Sequence, residues 1–219
     1  MSKRPVVFDL DGTLVDSRQD IVASANHVRS SAGLEPLPDS VVSGFVGDGA
    51  RYLVASVLGL EQDDPEVASH LQVFLDYYTD HAVDHTRLMP GAEEVMTLLA
   101  EHQLALCTNK SRRTTLAVLE GLGISDRFEV IVAGGDTTLN KPSGEPLLLV
   151  AERLGVAAES LVMVGDGPQD ILSARAVGAL GVGVRGGILP YERLASASPD
   201  VVLNDLSELA ALLARLDRE

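Results

Sequence analysis

From Pro90 onward the chain alternates short apolar runs with stretches of helical periodicity, and this alternation restricts the fold more than any other property of the sequence. Apolar runs at 103–108, 128–133, 161–165, 180–184 and 201–203 are interleaved with helical patterns near 92–101, 113–122, 144–155, 169–177 and 206–216. Such runs are too short for helices and suit strands buried on both faces. Strands alternating with helices form βαβ units, so the chain is expected to be an α/β protein with a parallel sheet covered on both sides.

Val6-Val7-Phe8 reads as one more buried strand and must join that sheet. Residues 16–84 contain no strand-like run. Ser17 with Asp20 resembles a capping box. Ile21, Ala25, Val28 and Ala32 then recur on one helical face, and Gly33 ends the helix. A short helix is expected near 40–45, a second carrying Leu53, Val54, Val57 and Leu58, and a third opened by Pro65 with Val67, Leu71, Phe74, Leu75 and Tyr78 on one face. The expected organisation is a core of residues 1–15 and 85–219, interrupted after its first strand by a helical unit over 16–84 with hinges near Asp16 and Pro90.

Charge limits the partners. The chain of 219 residues has 32 acidic and 17 basic residues and a formal charge of −15, which argues against nucleic acid or an anionic membrane as partner. No apolar stretch approaches a membrane span of roughly 18 residues, and Asp9 and Asp11 interrupt a signal-peptide reading, so the cytoplasm is the expected location. The single cysteine, Cys107, lies in an apolar run and reads as a buried structural thiol. Lysine occurs only at positions 3, 110 and 141, so a lysine at a motif position is informative.

Chemistry is concentrated where the apolar runs end. Behind Val6-Val7-Phe8 stands Asp9-Leu10-Asp11-Gly12-Thr13, with two carboxylates at i and i+2 on one side of an extended segment. Two adjacent carboxylates repel, unless a cation neutralises one while the other moves protons. The run at 103–108 ends in Thr108-Asn109, Lys141-Pro142 follows a polar turn, and the run at 161–165 ends in Gly165-Asp166-Gly167-Pro168-Gln169-Asp170. Taken singly, the later three read as a strand-to-helix turn, an exposed turn and a helix N-terminus. Ligands of open α/β sheets bind outside the carboxyl ends of the strands, so these motifs are expected to converge.

Four motifs in this order and spacing, over nearly the whole chain, resemble those of the haloacid dehalogenase-like superfamily. The resemblance implies a Rossmann-like three-layer core with a small helical cap domain inserted after the first strand. It implies that Asp9 is a nucleophile forming an aspartyl-phosphate and that Asp11 is the general acid and then the base. It also implies that Thr108 and Asn109 hold phosphate oxygens and that Lys141 neutralises charge. Mg²⁺ would be held by Asp9, Asp166 and the backbone carbonyl of Asp11, with Asp170 supporting the site directly or from behind the ligands. One departure concerns the loop after Asp166, where the superfamily often has Ser or Thr and this chain has Gly167-Pro168. Backbone amides would have to serve there.

Asp11 argues against a dehalogenase, and the absence of lysine from residues 16–84 argues against a Schiff-base phosphonatase. Within the superfamily the chain is most similar to phosphoglycolate phosphatases, on the segments 8–17, 46–50 and 108–110. That implies Mg-dependent hydrolysis of a small phosphorylated metabolite, 2-phosphoglycolate, by a monomer or homodimer. A sugar-phosphate mutase fits every motif as well, and a non-catalytic metabolite-binding protein would share the fold. Gly47-Asp48-Gly49-Ala50-Arg51 is the expected specificity loop, with Arg51 placed to pair with a substrate carboxylate. Two other patterns carry less. Gly181-Val182-Gly183-Val184-Arg185-Gly186 matches a dinucleotide-binding spacing, yet its glycines alternate inside a strand. His81 and His85 have the i, i+4 spacing of a zinc site without a third ligand.

Overall fold

β1 (Val6–Phe8) lies wholly buried at the centre of a sheet in the computed structural model, which describes residues 3–218. Parallel neighbours flank it on both sides: Val6 stands opposite Leu104 of β4 (Leu104–Ser111) and opposite Val162 of β6 (Val162–Gly165). β5 (Val130–Gly134) lies outside β4, while β7 (Leu180–Val184) and β8 (Val201–Leu203) extend the other edge. The order is β5-β4-β1-β6-β7-β8.

Side chains alternate across the sheet with a period of two, so each strand supplies both cores. Val6, Phe8, Leu104, Leu106, Val162 and Val164 face one apolar cluster, whereas Val7, Ala105, Cys107 and Met163 face the other. α5 (Ala92–Leu98), α6 (Arg112–Gly121) and α10 (Leu209–Leu216) close the first face through Met96, Leu119 and Leu212. α7 (Glu145–Leu154) and α8 (Pro168–Ala176) close the second through Leu147, Val150 and Ala174. Full burial of a side chain such as Phe8 contributes about 1.5–3 kcal/mol. The result is the three-layer α/β/α arrangement expected from the alternation.

Between β1 and β4 the chain forms α1 (Arg18–Ser31), α2 (Asp39–Ser43), α3 (Ala50–Leu58) and α4 (Glu66–Asp80). Val28, Val54, Val67, Phe74 and Tyr78 are buried in an apolar cluster continuous with the first face of the sheet. A two-stranded antiparallel ribbon, β2 (Val15–Asp16) against β3 (Arg87–Leu88), brings entry and exit together, with Asp16 opposite Arg87. The position expected to be a hinge in an all-helical stretch is therefore a strand residue. Two-residue strands carry too little pattern to be read from sequence.

The capping box expected at Ser17 and Asp20 does not form. Ser17 caps α1 without a side-chain bond and instead donates its hydroxyl to Asp11 Oδ1 at 2.5 Å. Asp20 is buried, and a buried carboxylate must find donors. It accepts the N–H of His85 at 3.1 Å, and the N–H and hydroxyl of Thr86 at 2.8 and 2.7 Å. This fastens the start of α1 to the segment that returns to β3.

The histidine pair is also not a site. α4 ends at Asp80, so His81 and His85 do not share a helical face, and His81 Nδ1 lies 2.8 Å from Asp84 Oδ2. Gly181 and Gly183 sit inside β7. The next helix, α9 (Tyr191–Ser196), begins too far on for a dinucleotide turn. That helix went unread because it is six residues long and buries only Leu194.

Candidate active site

The chain runs from β1 to β4 and β5, then returns to β6 on the other side of β1, which opens a crevice at the carboxyl ends of β1, β4 and β6. Asp9 follows β1, Asp166 follows β6, Asp170 lies in the first turn of α8, and Lys141 precedes α7. Thr108 and Asn109 lie within β4, which extends past them with an irregular register between Cys107 and Ser111. Such a break re-aims side chains beside a site. All six residues, together with Asp11, line one cleft, whose empty space of about 680 Å³ includes its opening to solvent.

Carboxylate oxygens of Asp9, Asp166 and Asp170 lie within 4.8 Å of one another. The Lys141 ammonium is buried among them and donates to Asp9 Oδ1 at 2.9 Å, Asp170 Oδ1 at 2.6 Å and the Cys107 carbonyl at 2.6 Å. An ammonium has three N–H donors, so Lys141 is saturated. Burial, opposed by Lys141 and reinforced by Asp170, raises the Asp9 carboxyl to about 6. Burial, with Asp9 and Asp170 nearby, pushes Asp166 up to about 8 against the pull of the Ile188 N–H and the Thr13 hydroxyl. Although burial disfavours the Lys141 ammonium, Asp170 and Asp9 outweigh it and hold its pKa above the usual value.

Three clustered carboxylates, two of them bonded to the one ammonium, form an all-oxygen donor set with more acid than base. That suits a hard divalent cation. Gly12 shapes the same spot: its φ is +89°, and a Cβ there would overlap the Asp166 carboxylate.

Asp11 occupies a separate environment. Its two oxygens each lie 3.1 Å from Lys110 Nζ, and Oδ1 also accepts from Ser17. The Lys110 ammonium in turn sits 4.0 Å from the centroid of the Tyr78 ring on α4. Nothing in the sequence pairs Lys110 or Ser17 with Asp11, since Ser17 reads there as a helix cap. The rarity of lysine, and the position of Lys110 directly after Thr108-Asn109, were the available signal.

Two expected contacts are corrected. Both N–H groups of the Asn109 amide are used, toward Gly47 O at 2.9 Å and Lys141 O at 2.8 Å, while its Oδ1 accepts the Lys141 N–H at 2.9 Å. Its side chain thus joins the loop before α3 to the Lys141 loop and is not free to bond a phosphate. Arg51 does not reach the cavity. Ala50 and Leu53 face it, three residues apart on α3, so the intervening Arg51 is turned away by the helical period. It is exposed, and its guanidinium donates to Gln62 O at 2.9 Å.

Of the backbone amides in the loop after Asp166, the Gly167 N–H donates to Asp170 Oδ2 at 3.1 Å. Gln169, also unread from sequence, lines the cavity with its buried Oε1 unpaired. Away from the carboxylates the walls are apolar: Ile21, Phe45, Val46, Leu53, Phe74 and Leu189.

An acid-rich cavity at the switch point of a parallel sheet is a setting for metal-assisted hydrolysis or phosphoryl transfer. The sequence model of the haloacid dehalogenase-like hydrolases matches residues 6–184, and the chain belongs to that family. A phosphoglycolate phosphatase of Chromobacterium violaceum is 37% identical over 96% of this chain and 96% of its own length. An N-acetylmuramic acid 6-phosphate phosphatase of Pseudomonas aeruginosa is 34% identical, over 98% of this chain and 96% of its own. Among solved structures, one described as a predicted phosphoglycolate phosphatase from Haemophilus somnus superposes with a TM-score of 0.88 at 26% identity, covering 97% of this chain and 98% of that one.

Proposed function

We propose that this hydrolase is a Mg²⁺-dependent phosphomonoesterase that works through an aspartyl-phosphate on Asp9, with 2-phosphoglycolate as its substrate. The observation that carries the reading is the cluster of Asp9, Asp166 and Asp170, two of which are paired with the buried Lys141. The named phosphatases among its relatives support the reaction class, and the phosphoglycolate phosphatase of Chromobacterium violaceum supports the substrate.

In this reading Asp9 Oδ attacks phosphorus and the ester oxygen leaves. Asp11, held by Lys110 and Ser17, delivers a proton to that oxygen and later takes one from the water that cleaves the aspartyl-phosphate. Lys141 keeps Asp9 oriented and offsets charge on the transferring group. Thr108, buried at the cavity wall, holds a phosphate oxygen in this reading. Asp9, Asp166 and Asp170 would hold Mg²⁺ together with the Asp11 carbonyl. Bound there, the ion would supply the positive charge that lets a carboxylate approach a phosphate dianion. Residues 16–84 act as a cap that excludes water and completes the pocket. Asn109 tethers the loop at Gly47 to the Lys141 loop in that closed arrangement.

No helix among the described residues is long and apolar enough to cross a membrane. The reading places the enzyme in the cytoplasm, as a monomer or homodimer acting on a small metabolite. Phosphate release from p-nitrophenyl phosphate tests it. Release should require Mg²⁺ and fall about a thousandfold or more in Asp9→Asn at unchanged fold. Substantial turnover by Asp9→Asn would overturn the mechanism.

A further inference from the structure

We infer that Lys110 recognises the anionic end of the substrate, so that the cavity selects phosphate esters bearing a carboxylate one methylene from the ester oxygen. The inference rests on the phosphatase reading above and assigns to Lys110 the contact that Arg51 does not make.

A carboxylate drawn into this cavity must find a counter-charge, because a buried unpaired charge is strongly disfavoured. Among the described residues lining the cavity only Lys110 and Lys141 are cationic. Lys141 has no donor left, with Asp9, Asp170 and the Cys107 carbonyl taking all three. The Lys110 ammonium spends two directions on the Asp11 oxygens, both at 3.1 Å, and faces the Tyr78 ring. The remaining N–H is turned to the Tyr78 side chain and bonds no carboxylate or carbonyl oxygen.

Position supports the assignment. Asp11 is the group that meets the ester oxygen in the proposed reaction, and Lys110 is bonded to Asp11. In 2-phosphoglycolate the carboxylate is separated from the ester oxygen by a single methylene. A cation in contact with Asp11 is therefore within reach of that carboxylate while the phosphoryl group faces Asp9. Much of the remaining wall, Phe45, Val46, Leu53 and Phe74 among it, offers carbon, and Thr114 and Gln169 add only uncharged polar groups. It leaves Lys110 as the one charged handle for the leaving group.

The test compares three esters of similar size whose tails differ in charge: 2-phosphoglycolate, ethyl phosphate and O-phosphoethanolamine. With the full chain and Mg²⁺, kcat/KM should fall in that order, with 2-phosphoglycolate preferred over ethyl phosphate by about tenfold or more, as for one charge-assisted hydrogen bond. In Lys110→Met the preference should shrink to about twofold or less, while Lys110→Arg should keep the order. Because Lys110 also holds Asp11, all three rates fall together in Lys110→Met, and the ratio isolates recognition. Should Lys110→Met not fold, Lys110→Gln, which removes the charge and keeps a polar end, is read by the same ratio with the same two outcomes.

Equal kcat/KM for the three esters, or a preference retained by Lys110→Met, overturns the inference and leaves the phosphatase reading intact. Absence of phosphate release from every ester, p-nitrophenyl phosphate included, overturns both.

Discussion

Lys141 Nζ lies 2.6 Å from Asp170 Oδ1, with both side chains almost wholly removed from solvent. The same ammonium holds Asp9 Oδ1 at 2.9 Å, so one cation joins residues from the end of β1, from α8 and from the loop before α7. The ion pairs fix the geometry of the cluster at a cost in desolvation.

That arrangement predicts the consequence of removing the cation. Lys141→Met leaves Asp9 and Asp170 buried without a counter-ion, which is expected to cost on the order of 3–5 kcal/mol. Mg²⁺ should recover part of the loss by compensating the same carboxylates. Scanning calorimetry with and without Mg²⁺ measures both effects. A variant as stable as the parent in metal-free buffer would show that Lys141 does not balance buried charge.

A second expectation concerns pH. The Asp9 and Asp166 carboxyls are raised from an ordinary 3.8 to about 6 and about 8 in the folded chain. Between the unfolded and folded values the native state binds more protons than the unfolded state, so these groups make stability fall as pH rises through that window. Mg²⁺ bound there as proposed would replace the protons and should remove the fall. Its stabilising effect should therefore be larger at about pH 8.5 than at about pH 5.5. Thermal midpoints in Mg²⁺ and in a chelator provide the comparison, and an increment that shrinks as pH rises would contradict it.

Asn109 predicts a separable phenotype. In Asn109→Ala the carbonyls of Gly47 and Lys141 lose their donors, at about 1–3 kcal/mol if they stay buried. The loop carrying Gly47 is then untethered from the Lys141 loop. Hydrogen exchange over residues 44–50 should quicken markedly in the variant, and kcat/KM should drop. Unchanged exchange there would remove Asn109 from any part in holding the two loops together.

What could be read from the sequence follows from the physics of each element. The strands were legible because a buried parallel strand such as Val6-Val7-Phe8 must be continuously apolar, whichever cluster each residue faces. The helices over 18–80 were legible where Val28, Val57 or Phe74 repeat at helical spacing. Asp9, Asp11, Thr108, Lys141, Asp166 and Asp170 could be brought to one cavity in advance, since the topology of a parallel sheet places strand ends together.

The remainder depended on tertiary contacts that leave no local pattern. The phase of α3 decides that Ala50 and Leu53 face inward and Arg51 outward, and packing sets that phase. Asp20 looked like a capping residue because its partners, His85 and Thr86, lie 65 and 66 positions away. Lys110 was hidden for the same reason, 99 positions from Asp11.

The central claim is that Asp9 becomes phosphorylated, and trapping the intermediate tests it most directly. Asp11→Asn should form the aspartyl-phosphate from an activated aryl phosphate, yet lack the base needed to cleave it. Rapid acid quenching of that variant with p-nitrophenyl phosphate and Mg²⁺, followed by peptide mass analysis, should find one added phosphoryl group on the peptide that carries Asp9. An adduct on another residue, or phosphate release through a first turnover with no adduct on Asp9, would contradict the account.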